Sequence, residues 1–199
     1  TPASILLLMD IIGDLLPDGV LNIVNGVGEE AGAALSGSDR IAKIAFTGST
    51  PVGKQLMKTA TDHVLRTSME LGGNAPLIVF EDADLDAAID ATIFGVFSLN
   101  GERCTAGSRI LVQRSVYDEF VERYAAQAKR VKVGLPSDPT TEVGALVHPE
   151  HYEKVTSYIE IGKQEAKLAA GGERPEGFEE GNFVQPTVFV DVDPSARIF

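Results

Sequence analysis

Residues 41–53 read IAKIAFTGSTPVG, an apolar run that leads through Thr47, Gly48 and Ser49 into Pro51. Short apolar runs bounded by turn residues are typical of buried strands, and proline is favoured in the first turn of a helix. The stretch therefore predicts a strand over residues 41–46 and a helix from Pro51 to about Ala60. A strand and a helix joined by a short link form the repeating unit of a parallel sheet covered by helices on both faces.

The same alternation extends along the rest of the chain. A helix is predicted to begin at Pro2, with Thr1 as its cap, and to end before the turn at residues 17–19. Further strands are predicted at residues 20–24, 75–80, 109–113 and 183–190, and further helices at residues 29–35, 85–99, 116–131 and 149–170. The sequence therefore predicts an α/β fold with a mostly parallel sheet.

Composition narrows the possible classes of protein. The chain has 199 residues, of which 44% are hydrophobic and 23% charged, a balance that can build a core and argues against general disorder. Its net charge of −12 argues against nucleic acid as a partner. The longest aliphatic run covers only residues 5–9, and no secretory leader is evident, so we expect a soluble, cytoplasmic protein without membrane contact.

Cys104 is the single cysteine of the chain, so it cannot form an internal disulfide. It lies in a stretch of small and polar residues between a predicted helix and a predicted strand, where reactive groups are often presented. The charge of Arg103 beside it would favour the thiolate, which is the nucleophilic form. The alternative is a buried structural cysteine, since free cysteine is often fully buried.

Glu70 is the second candidate catalytic residue. It is flanked by Met69 and Leu71 and followed by two glycines, so we expect its carboxylate to be partly desolvated. Desolvation favours the protonated form, which would suit a general base working near neutral pH. The alternative is a glutamate at the rim of a sheet, paired with a cation such as Arg66.

Residues 48–53, GSTPVG, place small and hydroxyl residues where a strand enters a helix. Backbone N–H groups and the helix dipole attract anions there, so a nucleotide phosphate would suit the loop, although a simple N-cap is the alternative. The glycines of residues 26–32 are spaced one residue too widely for the usual dinucleotide fingerprint. His148 and His151 flank Pro149 and lack a third ligand, so no metal site is predicted.

Four motifs, taken in this order, resemble the aldehyde dehydrogenase superfamily. They are residues 46–50 (FTGST), 69–73 (MELGG), 100–104 (NGERC) and 185–188 (QPTV). The resemblance covers essentially the whole chain, and the glutamate and cysteine signatures together are highly specific. It implies a Rossmann-type cofactor domain that ends at residue 71 and an α/β catalytic domain over residues 72–199.

The resemblance also implies a mechanism. The Cys104 thiolate would attack the aldehyde and, after hydride loss to nicotinamide, form a thioester that Glu70-activated water hydrolyses. The backbone N–H of Cys104 would supply one oxyanion donor. NAD or NADP is the implied cofactor, with NAD favoured. The cofactor contacts that the resemblance implies are Gly28, Gly32, Phe46, Thr47, Gly48, Ser49, Leu71 and Gly72.

The resemblance also implies a substrate class and an assembly. Residues 97–108 are similar to semialdehyde dehydrogenases of aromatic-acid catabolism, and Arg103 and Thr105 are candidate substrate contacts. Arg103 would pair with a substrate carboxylate or, alternatively, with Glu102 or the backbone. The family forms dimers and tetramers, so a homo-oligomer is expected. Alternatives are a CoA-dependent acylating relative, which would lack the base, and a non-catalytic structural or interaction protein with the same fold.

Several parts of the family pattern are not in the chain. The oxyanion asparagine normally lies in a Pro-Trp-Asn-Phe-Pro stretch, whereas this chain contains no tryptophan. The segments that bind the two cofactor riboses would lie before Thr1 and after about Phe199. The resemblance therefore implies a central fragment, and we expect these 199 residues alone to lack dehydrogenase turnover.

Overall fold

The computed structural model describes residues 2–199, so the predicted cap Thr1 lies outside the described residues. The chain divides into two compact units, Thr1–Leu71 and Gly72–Phe199. Parallel strand pairs connected through helices occur in both units, which confirms the α/β fold class. None of the helices within residues 2–199 has the length and apolar character needed to cross a bilayer.

The first unit is built around one parallel strand pair. Its elements are α1 (Pro2–Ile12), a 3-10 turn (Gly13–Leu15), a π-helical turn (Gly28–Gly32), α2 (Ala33–Ser36), β1 (Lys43–Gly48), α3 (Thr50–Asp62) and β2 (Arg66–Leu71). Strands β1 and β2 run parallel, with Lys43 opposite Arg66 and Gly48 opposite Leu71. Helix α3 connects them, as expected for a strand-helix-strand unit.

Helix α3 begins one residue before the predicted start at Pro51. Ser49 is extended at the N-cap and a proline follows in the first turn. Gly53 is buried on the first turns of this helix, and a Cβ there would lie 2.5 Å from Cδ2 of Leu71. A larger residue at this position would therefore force the Leu71 side chain to move, whereas glycine lets the helix approach β2 without that rearrangement.

One expectation for the first unit was wrong, and one strand of this unit was not predicted. Residues 20–24 form turns and irregular backbone instead of a strand. A β-branched run has strand propensity, but a strand needs a hydrogen-bonded neighbour, and within residues 2–199 this run has none. Conversely, β2 was not predicted, because its sequence RTSMEL has little apolar character; its pairing with β1 makes it a strand.

The second unit contains two further strand pairs and three long helices. Its elements are β3 (Pro76–Val79), α4 (Leu85–Phe97), a 3-10 turn (Ser98–Gly101), β4 (Arg109–Val112), a second 3-10 turn (Arg114–Val116), α5 (Tyr117–Ala128), α6 (Pro149–Glu165), β5 (Lys167–Ala170) and β6 (Val188–Val190). Strands β3 and β4 are parallel, whereas β5 and β6 are antiparallel.

The core of the second unit lies between α4, α5 and the strands. Phe120 and Tyr124 of α5 stack with ring centroids 5.6 Å apart, and Phe120 is only 1% exposed. Val79 of β3 and Ile89 of α4 are buried in the same cluster. Burial raises the pKa of Tyr124, because the phenolate would be desolvated there.

Capping and pairing decide the element boundaries in this unit. The Asp84 carboxylate accepts hydrogen bonds from the backbone N–H groups of Asp86 and Ala87, which starts α4. The helix predicted to continue to residue 170 instead ends at Glu165, because residues 167–170 pair with β6. The strand predicted over residues 183–190 is confined to residues 188–190, since Pro186 lacks the N–H that a ladder requires.

Candidate functional site

Cys104 lies on an exposed turn between α4 and β4. The backbone N–H of Ala106 donates to the carbonyl of Arg103 at 3.1 Å, so Cys104 and Thr105 occupy the middle of this turn, and both are exposed. Ala106 and Gly107 then turn inward, and a Cβ at Gly107 would lie 3.2 Å from Cβ of Leu77. The turn is therefore fixed on its far side by packing, while the thiol remains accessible.

Arg103 is held against the end of α4. Its guanidinium donates to the hydroxyl of Ser98 at 3.0 Å and lies 5.0 Å from the ring centroid of Phe94. The carboxylate of Glu102 contacts His151 instead, at 3.1 Å. Within residues 2–199, none of the ion pairs involves Arg103, so the salt bridge with Glu102 is not formed.

A cavity of about 640 Å³ lies beside this loop within the second unit. Asn100, Gly101 and Arg103 line it from the loop, and His151 and Lys154 line it from α6. Its charged side chains are all basic, although the chain as a whole is acidic. In the sequence, His151 stood out only as a possible metal ligand and Asn100 only as part of the motif at residues 100–104, while no local pattern pointed to Lys154.

Glu70 belongs to the first unit and lies near the carboxyl end of β2, opposite Thr47 of β1. The expected partial desolvation is wrong, because Glu70 is exposed. The pair with Arg66 is also not formed among the ion pairs of residues 2–199.

Apart from Gly72, the residues expected to bind the cofactor belong to the first unit, where six of them lie in two regions that follow each other along β1 and α3. Gly28, Gly32 and Phe46 line a cavity of about 600 Å³. A Cβ at Gly28 or Gly32 would meet no protein atom within 4 Å, so a side chain at either position would extend into open space. The glycines therefore leave room for a flat group to lie against the backbone.

Thr47, Gly48 and Ser49 form the second region, at the carboxyl end of β1 and the N-terminus of α3. The Ser49 side chain makes no capping hydrogen bond, so the first N–H groups of this 13-residue helix are available to an anion. Leu71 pairs with Gly48 in the register, whereas Gly72 begins the second unit. A mostly apolar cavity next to a helix N-terminus whose first N–H groups lack a side-chain cap is an arrangement that a dinucleotide would fit.

The chain resembles known proteins of a single family. Residues 1–199 match the model of the aldehyde dehydrogenase family. The chain is 49% identical over 189 residues to the 5-carboxymethyl-2-hydroxymuconate semialdehyde dehydrogenase of Escherichia coli, covering 92% of this chain and 40% of that protein. It is 45% identical to the betaine aldehyde dehydrogenase of Mesorhizobium japonicum, covering 100% of this chain and 41% of that protein.

A solved structure extends the agreement to the backbone. The NAD+ complex of aldehyde dehydrogenase from Bacillus cereus matches with a TM-score of 0.95 and 43% identity, covering 100% of this chain and 40% of that one. The chain thus spans about 40% of the length of the relatives it matches. Because the motifs, the backbone and the family model agree from end to end, the chain belongs to the aldehyde dehydrogenase family.

Proposed function

We propose that these residues serve the NAD(P)-dependent oxidation of an aldehyde to a carboxylic acid through a thioester on Cys104. The observation that carries the proposal is the presentation of the chain's single cysteine on an exposed turn within a chain of this family. A buried structural cysteine, the alternative that the sequence left open, would not be accessible to a substrate.

The Cys104 sulfur would act first. Its thiolate attacks the aldehyde carbon, a C–S bond forms, and the carbonyl oxygen becomes an oxyanion that the backbone N–H of Cys104 stabilises. A nicotinamide cofactor, when bound, supplies the hydride acceptor that this oxidation needs. The protein's part in this half-reaction is to hold the sulfur and the oxyanion donor in place.

Glu70 would act in the second half-reaction. Its carboxylate takes a proton from water, the oxygen of that water attacks the thioester carbon, and the C–S bond breaks to release the acid and the thiolate. The exposure of Glu70 and the lack of an ion-pair partner for it within residues 2–199 support this role, because the carboxylate is accessible to water.

The cofactor would bind to the first unit, residues 1–71, as part of a cofactor domain, while residues 72–199 would belong to the catalytic domain. Gly28, Gly32 and Phe46 would hold the adenosine end, and the Thr47–Ser49 region would meet the pyrophosphate, with Leu71 and Gly72 nearby in sequence. We favour NAD, since the Bacillus cereus neighbour was solved with NAD+. A cytoplasmic homodimer or homotetramer is the proposed assembly.

The proposed substrate is a semialdehyde that also bears a carboxylate. The Escherichia coli relative is named for a semialdehyde of this kind. Arg103, next to the nucleophile, contacts a hydroxyl and an aromatic ring but no carboxylate within residues 2–199, so its charge is available to a substrate anion. Thr105, exposed on the other side of Cys104, would add a hydroxyl contact.

Alkylation of the 199-residue chain tests the proposed nucleophile directly, because Cys104 is its single thiol. We expect iodoacetamide to label Cys104 about 3- to 10-fold faster than free cysteine at neutral pH, because the proposed reaction needs an exposed, activated sulfur. Cys104→Ser serves as the control for labelling elsewhere. Labelling of Cys104 at or below the rate of free cysteine would count against an activated nucleophile.

A chimeric enzyme, which we call the graft, tests the proposed substrate. In the graft, residues 1–199 of this chain replace the matching segment of the Escherichia coli relative, which supplies the flanking segments. We expect Arg103→Gln to raise KM for a carboxylate-bearing semialdehyde about 10-fold or more, because a charge-assisted hydrogen bond is worth about 1.5–3 kcal/mol. KM for a neutral aldehyde should change less than about 2-fold. Arg130→Gln, which alters an exposed arginine, is the control, and it should change KM for either substrate less than about 2-fold. Equal losses on both substrates in Arg103→Gln would contradict recognition of the carboxylate.

A further inference from the structure

The loop that leads into Cys104 is held in an unusual backbone conformation. Leu99, Asn100 and Gly101 are consecutive residues with left-handed φ values of 53°, 58° and 71°. Glycine adopts this conformation readily and asparagine tolerates it, but leucine does so rarely. No residue with a side chain fits at position 101 without a clash, because a Cβ there would lie 2.9 Å from the carbonyl oxygen of Val96. Such strain persists only where surrounding contacts enforce it.

One of those contacts comes from the Asn100 side chain. Its Nδ2 donates to the carbonyl oxygen of Ala145 at 2.9 Å, across 45 residues of sequence, in a partly buried position. The bond therefore links the centre of the left-handed run to a segment that is distant in sequence. It also gives a reason for asparagine at this position beyond its tolerance of the left-handed conformation.

A second contact lies on the other side of Gly101. The Glu102 carboxylate contacts Nε2 of His151 at 3.1 Å, with side chains 39% and 29% exposed. His151 is itself fixed in the first turn of α6, because its backbone N–H donates to Nδ1 of His148 at 3.2 Å. Both contacts thus reach residues 145–151, which we call the anchor segment.

We propose that the anchor segment positions the Cys104 sulfur, and that Asn100, Glu102 and His151 are positioning residues of the reaction. The inference rests on the proposed function of Cys104. Only Arg103 separates the second contact from the nucleophile, and the tight turn at residues 103–106 passes any displacement of the loop on to the sulfur. Because a misplacement of about 1 Å can cost about 100-fold in rate, holding this loop in one conformation has a direct chemical consequence.

The experiment uses the 199-residue chain and two variants that each remove one contact. Asn100→Gly removes the hydrogen bond to Ala145 but keeps a residue that adopts the left-handed conformation without cost. His151→Ala removes the contact with Glu102, and His151→Gln restores an amide donor to it. His63→Ala, an exposed histidine of the first unit, is the matched control. Backbone amide exchange of residues 99–104 and the iodoacetamide rate at Cys104 are measured for each protein.

In Asn100→Gly and His151→Ala, we expect the backbone amide protons of residues 99–104 to exchange about 10-fold faster than in the unaltered chain. We also expect the rate of alkylation of Cys104 to change about 3-fold or more. His151→Gln should recover most of both effects, and His63→Ala should show neither. Unchanged exchange in the two variants would overturn the anchoring. Faster exchange with an unchanged alkylation rate would overturn the positioning of the sulfur. Slow alkylation of the unaltered chain would count against the proposed function alone, since amide exchange still tests the anchoring.

Discussion

Glu70→Gln in the graft is expected to lower the steady-state rate about 1,000-fold and to leave the acyl group on Cys104. General-base catalysis contributes about 100- to 10,000-fold, and glutamine keeps the size of the side chain while losing its basicity. The thioester then forms but is not hydrolysed. The reaction should release about one equivalent of NADH per site, and intact mass measurement should show the acyl adduct.

Glu153→Gln provides the matched control for this result. Glu153 is an exposed glutamate on α6, and its replacement should leave turnover within about 2-fold. Turnover of Glu70→Gln within about 3-fold of the unaltered graft would contradict the role of the general base. A large loss of turnover without any acyl adduct on Cys104 would show that Glu70 acts before the thioester forms, which would also contradict its assigned role.

Phe120→Ala is expected to lower the free energy of unfolding of the second unit by about 3–5 kcal/mol, since truncating a buried phenylalanine loses its transfer free energy and leaves a cavity. Phe120 is 1% exposed and stacks on Tyr124 in the centre of the core. This loss is large against the total stability of about 5–15 kcal/mol that is typical of a domain. Urea unfolding of the 199-residue chain, followed by circular dichroism, measures it.

Phe80→Ala is the control for this prediction, because Phe80 is 60% exposed just after β3. Its replacement should cost less than about 1 kcal/mol, since little apolar surface returns to water. Equal midpoints for the two variants would show that the cluster around Phe120 does not stabilise the second unit as described.

Much of the fold was predictable because the decisive signals are local. Asp84 marks the start of α4 through its own carboxylate, and Pro149 occurs in the first turn of α6. Helical spacing predicted α5, with Phe120 and Tyr124 on its apolar face, and both are buried. Each of these features depends on residues within about one helical turn of one another, so the sequence alone contains the information.

The errors share a different origin. Residues 20–24 have strand propensity without a strand neighbour in the described residues, whereas β2 has weak propensity and a neighbour in β1. Residues 167–170 were assigned to a helix, but pairing with β6 makes them a strand. Strand formation depends on a partner that is distant in sequence, so local propensity decides it poorly. The exposure of Glu70 was missed for the same reason, since burial depends on what packs against β2.

The sequence by itself determined the family, and it predicted Cys104 as the nucleophile, Glu70 as the base and the loop after β1 as a phosphate site, because these assignments depend on short motifs of adjacent residues. Only the tertiary structure decided that Glu102 contacts His151 while Arg103 contacts Ser98 and Phe94. Tertiary structure likewise decided that Asn100 reaches Ala145 across 45 residues. Contacts of this range depend on the path of the chain between the partners, and that path is set by packing and strand pairing rather than by the residues that finally meet.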